Sequence, residues 1–287
     1  MRKITLWLVL LAFTCLTAHA EDPITQATAQ RMKANFFAFD NGVGQDTWTP
    51  EQQAKTLGKL GYAGIGYSGS GNLDERLKAF ENQELKVFNL YIGCRLNNEV
   101  PFVEEAREAI KRLKGTNVPL WLYVIGKLEN DDKAVEAVRE IADLAAASDI
   151  KVALYPHFGF YIADLDDGLR ILRKVNRDNV GLTFNLCHEL RAGNEARFND
   201  LLEAAAPHLM FVSINGADHE GDWDKLIQPL GHGTFELKPL LRKIVSIGYK
   251  GPIGLQCYAV PGDTLGNLEH NIAQWNTIVD ELAGKKP

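Results

Sequence analysis

The chain has 287 residues, 46% of them hydrophobic and 24% charged, with 31 basic against 37 acidic side chains and a net charge of −6. It shows no basic patch of the kind nucleic-acid binding requires, and the acidic balance disfavours polyanionic partners. The length suits one large domain or two small ones.

The chain opens on MRKITLWLVLLAFTCLTAHA: two cations, an apolar run and then Ala18-His19-Ala20. This is the pattern of a secretory signal peptide, residues 1–20, with cleavage expected before Glu21. The apolar run is too short for a comfortable membrane span. Residues 21–287 are therefore expected as a soluble periplasmic or secreted protein, not stably inserted in a membrane. Loss of Arg2 and Lys3 leaves 29 basic residues against 37 acidic, a net of −8. Three cysteines remain, Cys94, Cys187 and Cys257. An odd count argues against a disulfide framework, and their places at the ends of apolar runs suit buried thiols.

Eight apolar runs follow: NFFAFD (35–40), AGIGY (63–67), VFNLYI (87–92), PLWLYVI (119–125), KVALYP (151–156), VGLTFN (180–185), LMFVSI (209–214) and PIGLQC (252–257). Continuous apolar runs of this length suit strands buried on both faces, as in a parallel sheet. Helix signals fill the gaps. In TPEQQAKTLGKLG, Thr49 is placed to cap, Pro50 to open and Gly61 to stop a helix. Strict β/α alternation without a linker predicts a single (β/α)8 TIM barrel over 21–287. An open doubly wound sheet is the competitor, though no Gly-x-Gly-x-x-Gly follows any strand.

In such barrels the C-terminal strand ends form the active face. Those ends carry Asp40, Tyr67, Tyr91, Tyr155, His157, Asn185, His188, Asn215, Asp218 and Gln256. His157 and His188 fall in adjacent βα connections and are expected to face one cavity, although a lone His after a strand is usually a loop residue. Asn185 and Gln256 end apolar strands, where a buried amide needs partners. Ligand binding and the tying down of barrel-top loops both supply them. After the seventh strand runs NGADHEGDWDKLIQPLGHGTF, with Asp218, His219, Trp223 and His232. A structureless connection of this length is usually functional, and it is read as a lid with an aromatic anchor for a sugar ring or as a surface excursion packed on Trp223.

With LGKLGYAGIGYSG, VALYPHFGF, VGLTFNLCH, LMFVSINGAD and YKGPIGLQCY, the sequence resembles the xylose-isomerase-like TIM barrels. These are sugar isomerases and epimerases related to family-2 AP endonucleases. The resemblance covers about residues 34–283. It implies a metal site with Glu, Asp, His and Glu from the fifth to eighth strands. Here those places hold Tyr155, Asn185, Ser213 and Gln256. Mg²⁺ or Mn²⁺ prefers carboxylate oxygens, so no metal cofactor is expected. His157 and His188 with the two amide carbonyls form a weaker Zn²⁺ or Mn²⁺ alternative, with Asp40, Glu189 or Asp218 supplying charge.

The expected partner is a small carbohydrate. The expected activity is isomerisation, epimerisation or β-elimination of a sugar or keto-sugar by proton abstraction next to a carbonyl. His157 and His188 would be the acid–base pair and Tyr155 a proton donor, with Asp40, Tyr67, Tyr91, Asn185, Asn215, Asp218 and Gln256 binding substrate. The alternative is a non-catalytic carbohydrate-binding barrel that has lost the metal site. Monomer and homo-oligomer both remain open.

Overall fold

The runs FFAF, VAL, VGLTFN and IGL are buried at every position, as strands covered on both faces must be. A computed structural model describes residues 22–45, 47–97 and 104–285 of the chain. The expected leader, 1–20, lies outside the described residues. The strands are β1 (Phe36–Phe39), β2 (Gly64–Ser68), β3 (Lys86–Arg95), β4 (Leu120–Ile125), β5 (Val152–Leu154), β6 (Val180–Asn185), β7 (Leu209–Ile214) and β8 (Ile253–Leu255). Each pairs in parallel with the next, and β8 returns to β1, closing the (β/α)8 barrel. That last pairing, Phe36, Phe37 and Ala38 against Ile253, Gly254 and Leu255, rules out an open sheet.

The helices are α1 (Gln26–Ala34), α2 (Pro50–Leu60), α3 (Leu73–Glu81), α4 (Glu104–Leu113), α5 (Asp132–Ala146), α6 (Leu165–Val175), α7 (Leu186–Arg191), α8 (Phe198–Ala205), α9 (Trp223–Leu226), α10 (Leu237–Ser246) and α11 (Thr264–Leu282). In α2 the Thr49 hydroxyl accepts from the Gln52 amide N–H, and the Gln52 side chain accepts from the Thr49 N–H. Gly61 ends the helix at φ +89°, a conformation costly for any residue with a Cβ. The sequence reading did not anticipate α1. It is capped by Thr25 and tied to α11 by Ile24 N–H donating to the Leu282 carbonyl at 2.9 Å and by a 2.7 Å Lys33–Asp280 ion pair.

Alternate strand residues feed two cores. Phe36 and Ala38 face the helices, and Phe36 stacks on Trp275 of α11 at 4.3 Å. Phe37 and Phe39 join Phe88, Trp121, Ala153, Tyr155 and Phe211 in a separate aromatic cluster. Phe37 stacks on Phe88 at 4.5 Å, and Trp121 meets Phe211 edge-on at 4.9 Å. Each buried ring stabilises the fold by about 2–3 kcal/mol relative to exposure. Cys94, Cys187 and Cys257 are free and buried, and burial pushes their thiols up to about 12.

Two bulges set which side chains face the barrel mouth. Ile65 pairs with Val87 but Gly66 with Asn89, so Phe88 is an extra residue in β3. Such an insertion re-aims the strand, and Asn89 and Tyr91 then both reach the mouth. Gly66 makes the room, because a Cβ there would stand 2.3 Å from Asn89 Oδ1. A second shift, between Leu182 and Thr183 on β6, skips Met210 and brings Ser213 opposite Asn185.

Candidate active site

A cavity of about 450 Å³ opens among residues at the C-terminal strand ends, within the usual range for small-molecule sites. Phe39, Trp121 and Tyr155 of the aromatic cluster also line it. Of the residues singled out in the sequence, Asp40, Tyr67, Tyr91, Tyr155, His157, His188 and Gln256 line the cavity.

The two histidines meet because β6 passes straight into α7: Asn185 ends the strand and Leu186 begins the helix. This puts His188 in the first full turn of α7, against the segment that follows β5. The rings lie 4.1 Å apart, centroid to centroid, and His157 also stacks on Phe160 at 3.9 Å. One residue, Phe158, engages both. Its carbonyl lies 3.0 Å from His157 Nδ1, and its N–H donates to His188 Nδ1 over 3.3 Å. A carbonyl only accepts, so His157 carries its proton on Nδ1 and leaves Nε2 as an acceptor. His188 Nδ1 accepts, so its proton is on Nε2. Burial holds both imidazoles below their ordinary pKa, His188 further than His157, with His157 itself adding to the effect on His188. Both rings are therefore neutral near pH 7, one presenting a lone pair and the other a donor.

Across the barrel, immediately after β1, Asp40 is 1% exposed, and its two oxygens accept from the Ser68 N–H and hydroxyl, each at 2.9 Å. Burial raises its pKa, against the lowering effect of those bonds and of Arg76. Immediately after β8, Gln256 Oε1 accepts from Asn41 Nδ2 at 2.8 Å and from the Cys257 and Tyr258 N–H groups at 2.9 Å. Burial holds the Tyr155 hydroxyl well above its ordinary pKa, against the lowering effect of the Gln256 side chain. Tyr67 donates its hydroxyl to Gln53 at 2.6 Å.

Three expected binding residues do not reach the cavity. Asn185 donates to the Pro156 carbonyl at 2.7 Å and accepts from the Ser213 hydroxyl at 2.6 Å, so it ties β6 to β7 and to the segment after β5. Asn215 donates to the carbonyls of Gly216, at 2.8 Å, and Leu226, at 2.6 Å. Asp218 accepts from the Thr234 N–H at 2.9 Å and its hydroxyl at 3.1 Å. These two organise the connection after β7, which is not structureless: Gly216 and Gln228 form a bridge, α9 makes a helical turn, and Trp223 and Ile227 are brought to the cavity wall. Trp223 lies edge-on to His188 at 5.4 Å.

Asn89 and Trp121 line the cavity but were missed. The polar residue inside VFNLYI was a usable signal for Asn89; nothing in PLWLYVI separates Trp121 from ordinary core. Asn41 Oδ1, Asn89 Oδ1 and Trp121 Nε1 have no hydrogen-bond partner among the described residues.

The four positions where the resemblance implies metal ligands do not fit a divalent cation. Asn185 and Ser213 satisfy each other, Gln256 Oε1 already takes three N–H donors, and Tyr155 offers a hydroxyl that burial keeps protonated. A hard cation requires exposed, mostly anionic oxygens. The relocated set is not assembled either. Asp40 lies across the barrel, Asp218 is held in the β7 connection, and Glu189 accepts from Leu165 N–H at the start of α6, at 2.7 Å.

The model of the xylose isomerase-like TIM barrel family matches residues 51–278. The chain belongs to that family. Within 141 residues it is 28% identical to an uncharacterized protein of Methanocaldococcus jannaschii, a match spanning 48% of this chain and 46% of that protein. The chain therefore spans about half the length of that relative. Among solved structures it is similar to apo 3-keto-D-glucoside 4-epimerase from E. coli, with 14% identity, TM-score 0.69, 85% of this chain and 99% of that one. L-ribulose 3-epimerase superposes with TM-score 0.68 at 14% identity, over 86% of this chain and 95% of that one. At these identities the likeness is one of fold, and the family's barrel is what the three share.

Proposed function

We propose that this family member is an exported, metal-independent enzyme that isomerises, epimerises or β-eliminates a sugar or keto-sugar by moving a proton next to a carbonyl. The family and the epimerases among its structural neighbours support the substrate class and the reaction type. The leader-like sequence of residues 1–20 supports export. The donor chemistry at the four implied ligand positions supports proton transfer by protein groups alone.

The observation that carries the reading is Phe158, whose carbonyl and N–H hold His157 and His188 in opposite tautomers. His157 Nε2 takes the proton from the carbon beside the carbonyl. His188 Nε2–H stabilises the negative charge that develops on the carbonyl oxygen. Neutral donors serve there when they are fixed in advance in a site shielded from water. The Gln256 amide and Tyr155 hydroxyl are further neutral donors on the wall. Return of the proton to the opposite face of the same carbon gives the epimer; its delivery to the former carbonyl carbon, as the neighbouring hydroxyl gives up its proton, gives the isomer; loss of a β-substituent with the proton gives the unsaturated product.

Incubation with a panel of sugars and keto-sugars in D₂O, followed by NMR, tests this. Deuterium is expected at a carbon next to a carbonyl, or vinyl signals after elimination, and His157→Ala is expected to abolish both. A second reading, a non-catalytic carbohydrate-binding barrel, is favoured by the closure of Asn185 and Ser213 on each other. Tight calorimetric binding with neither exchange nor product across the panel would select it.

A further inference from the structure

The charge pattern of the cavity deepens the carbohydrate reading, on which it rests, by naming which carbohydrates the site accepts. Among the described lining residues none is lysine or arginine, and Asp40 is the one carboxylate. The two histidines add no positive charge near pH 7, since burial keeps both below their ordinary pKa. Asp40 uses its oxygens as acceptors from Ser68, and these bonds favour the ionised carboxyl against the burial that raises its pKa.

Arg76 and Arg191 lie over aromatic rings of the wall, and both are engaged elsewhere. Arg76 covers the Tyr67 ring at 4.2 Å and donates to the carbonyls of Ser68, at 3.3 Å, and Gly69, at 3.1 Å. Arg191 lies 5.7 Å from the rings of Phe158 and Trp223 and pairs with Asp222 at 3.1 Å. A phosphate or carboxylate entering the cavity would lose its hydration, find no cation to replace it and meet the Asp40 charge.

An uncharged polyol meets the opposite situation. Its hydroxyls both donate and accept. Asp40 and the unpartnered Asn89 and Asn41 oxygens accept, while Trp121 Nε1 donates. Its C–H faces suit the aromatic wall of Tyr91, Trp121 and Trp223 and the exposed Tyr258 at the mouth. We propose that the site takes uncharged saccharides and excludes phosphorylated and carboxylated ones.

Calorimetry at pH 7.5 on the full mature chain, with matched sets of a ketose or aldose, its 6-phosphate and the corresponding uronic acid, tests the proposal. At least one neutral sugar is expected to bind, and its phosphate and acid at least tenfold more weakly. Asp40→Asn and, at the exposed cavity edge, Gln45→Lys are each expected to narrow that ratio severalfold. The ratio is read within each variant, so a general loss of affinity does not mimic the effect. A phosphate or acid that binds as tightly as its neutral counterpart, or a panel in which no neutral sugar binds, overturns the proposal. Neutral preference without proton exchange removes the catalytic reading and leaves the substrate class standing. Anion preference with exchange does the reverse.

Discussion

Two adjoining parts of the barrel mouth are built in opposite ways. At the β6–β7 rim, Asn185 and Ser213 spend their polar atoms on each other and on the Pro156 carbonyl. At the β5–α7 junction, Phe158 engages only one nitrogen of each histidine, and both rings line the cavity. Both parts place buried polar groups at strand ends. Burial alone therefore does not mark a ligand-binding group; what marks it is a polar atom that the protein has left for something else. Asn89 and Trp121 meet that criterion. Asn185 does not.

The comparison is sharpened most by removing the histidines. His157→Ala and His188→Ala are each expected to lower turnover about 10²–10⁴-fold, the usual contribution of a positioned acid or base, with the circular dichroism spectrum unchanged. Full activity in either variant would break the contrast. The pH profile follows from the same groups. His157 titrates below 6.5 in the fold, so the base stays unprotonated as pH falls through 6.5. The acid limb of kcat/KM is expected below that value.

Glu189, next to the catalytic candidate, works on stability instead. It is fully buried, accepts from Leu165 N–H and Asn194 Nδ2, and is pushed up by burial to about 7 from an ordinary 4.5. Between those values the folded protein keeps a proton that the unfolded chain has released. The stability from this group is complete below pH 4.5 and is lost as pH rises through 7. Glu189→Gln is expected to remove a pH-dependent loss of up to about 3 kcal/mol, read as thermal midpoints of the two proteins between pH 5 and 8. The histidines act in the other direction, since their depressed pKa values cost stability as pH falls below 6.5.

Asn185→Ala is expected to cost about 1–3 kcal/mol by leaving the Pro156 carbonyl and Ser213 hydroxyl unpaired, while leaving ligand affinity in the folded protein unchanged. A selective loss of affinity would put Asn185 in the site after all. The smallest effect is expected at Asn89. Asn89→Leu removes an oxygen without a partner among the described residues, so stability should change by less than about 1 kcal/mol while sugar affinity falls.

The barrel was legible because strands covered on both faces spell themselves as apolar runs, and because Thr49, Pro50 and Gly61 punctuate α2 by local chemistry. Helices α1 and α7 were not legible. The first is held by Leu282 and Asp280, far along the chain, and the second is a six-residue helix launched directly from a strand. The cavity-lining candidates from Asp40 to Gln256 could be collected from strand ends. Which amides were already spent could not, because Asn185 finds its partners 28 and 29 residues away, on β7 and in the segment after β5. Asn89 turned inward through a bulge that no local pattern announces.

The central claim is that one residue, Phe158, holds the two histidines as a neutral acceptor and a neutral donor. Long-range ¹H–¹⁵N NMR of the side chains at pH 7 reads this directly. The account predicts that His157 is protonated on Nδ1 and His188 on Nε2, with neither ring cationic. Two rings in the same tautomer, or a cationic imidazolium at either position, would contradict it.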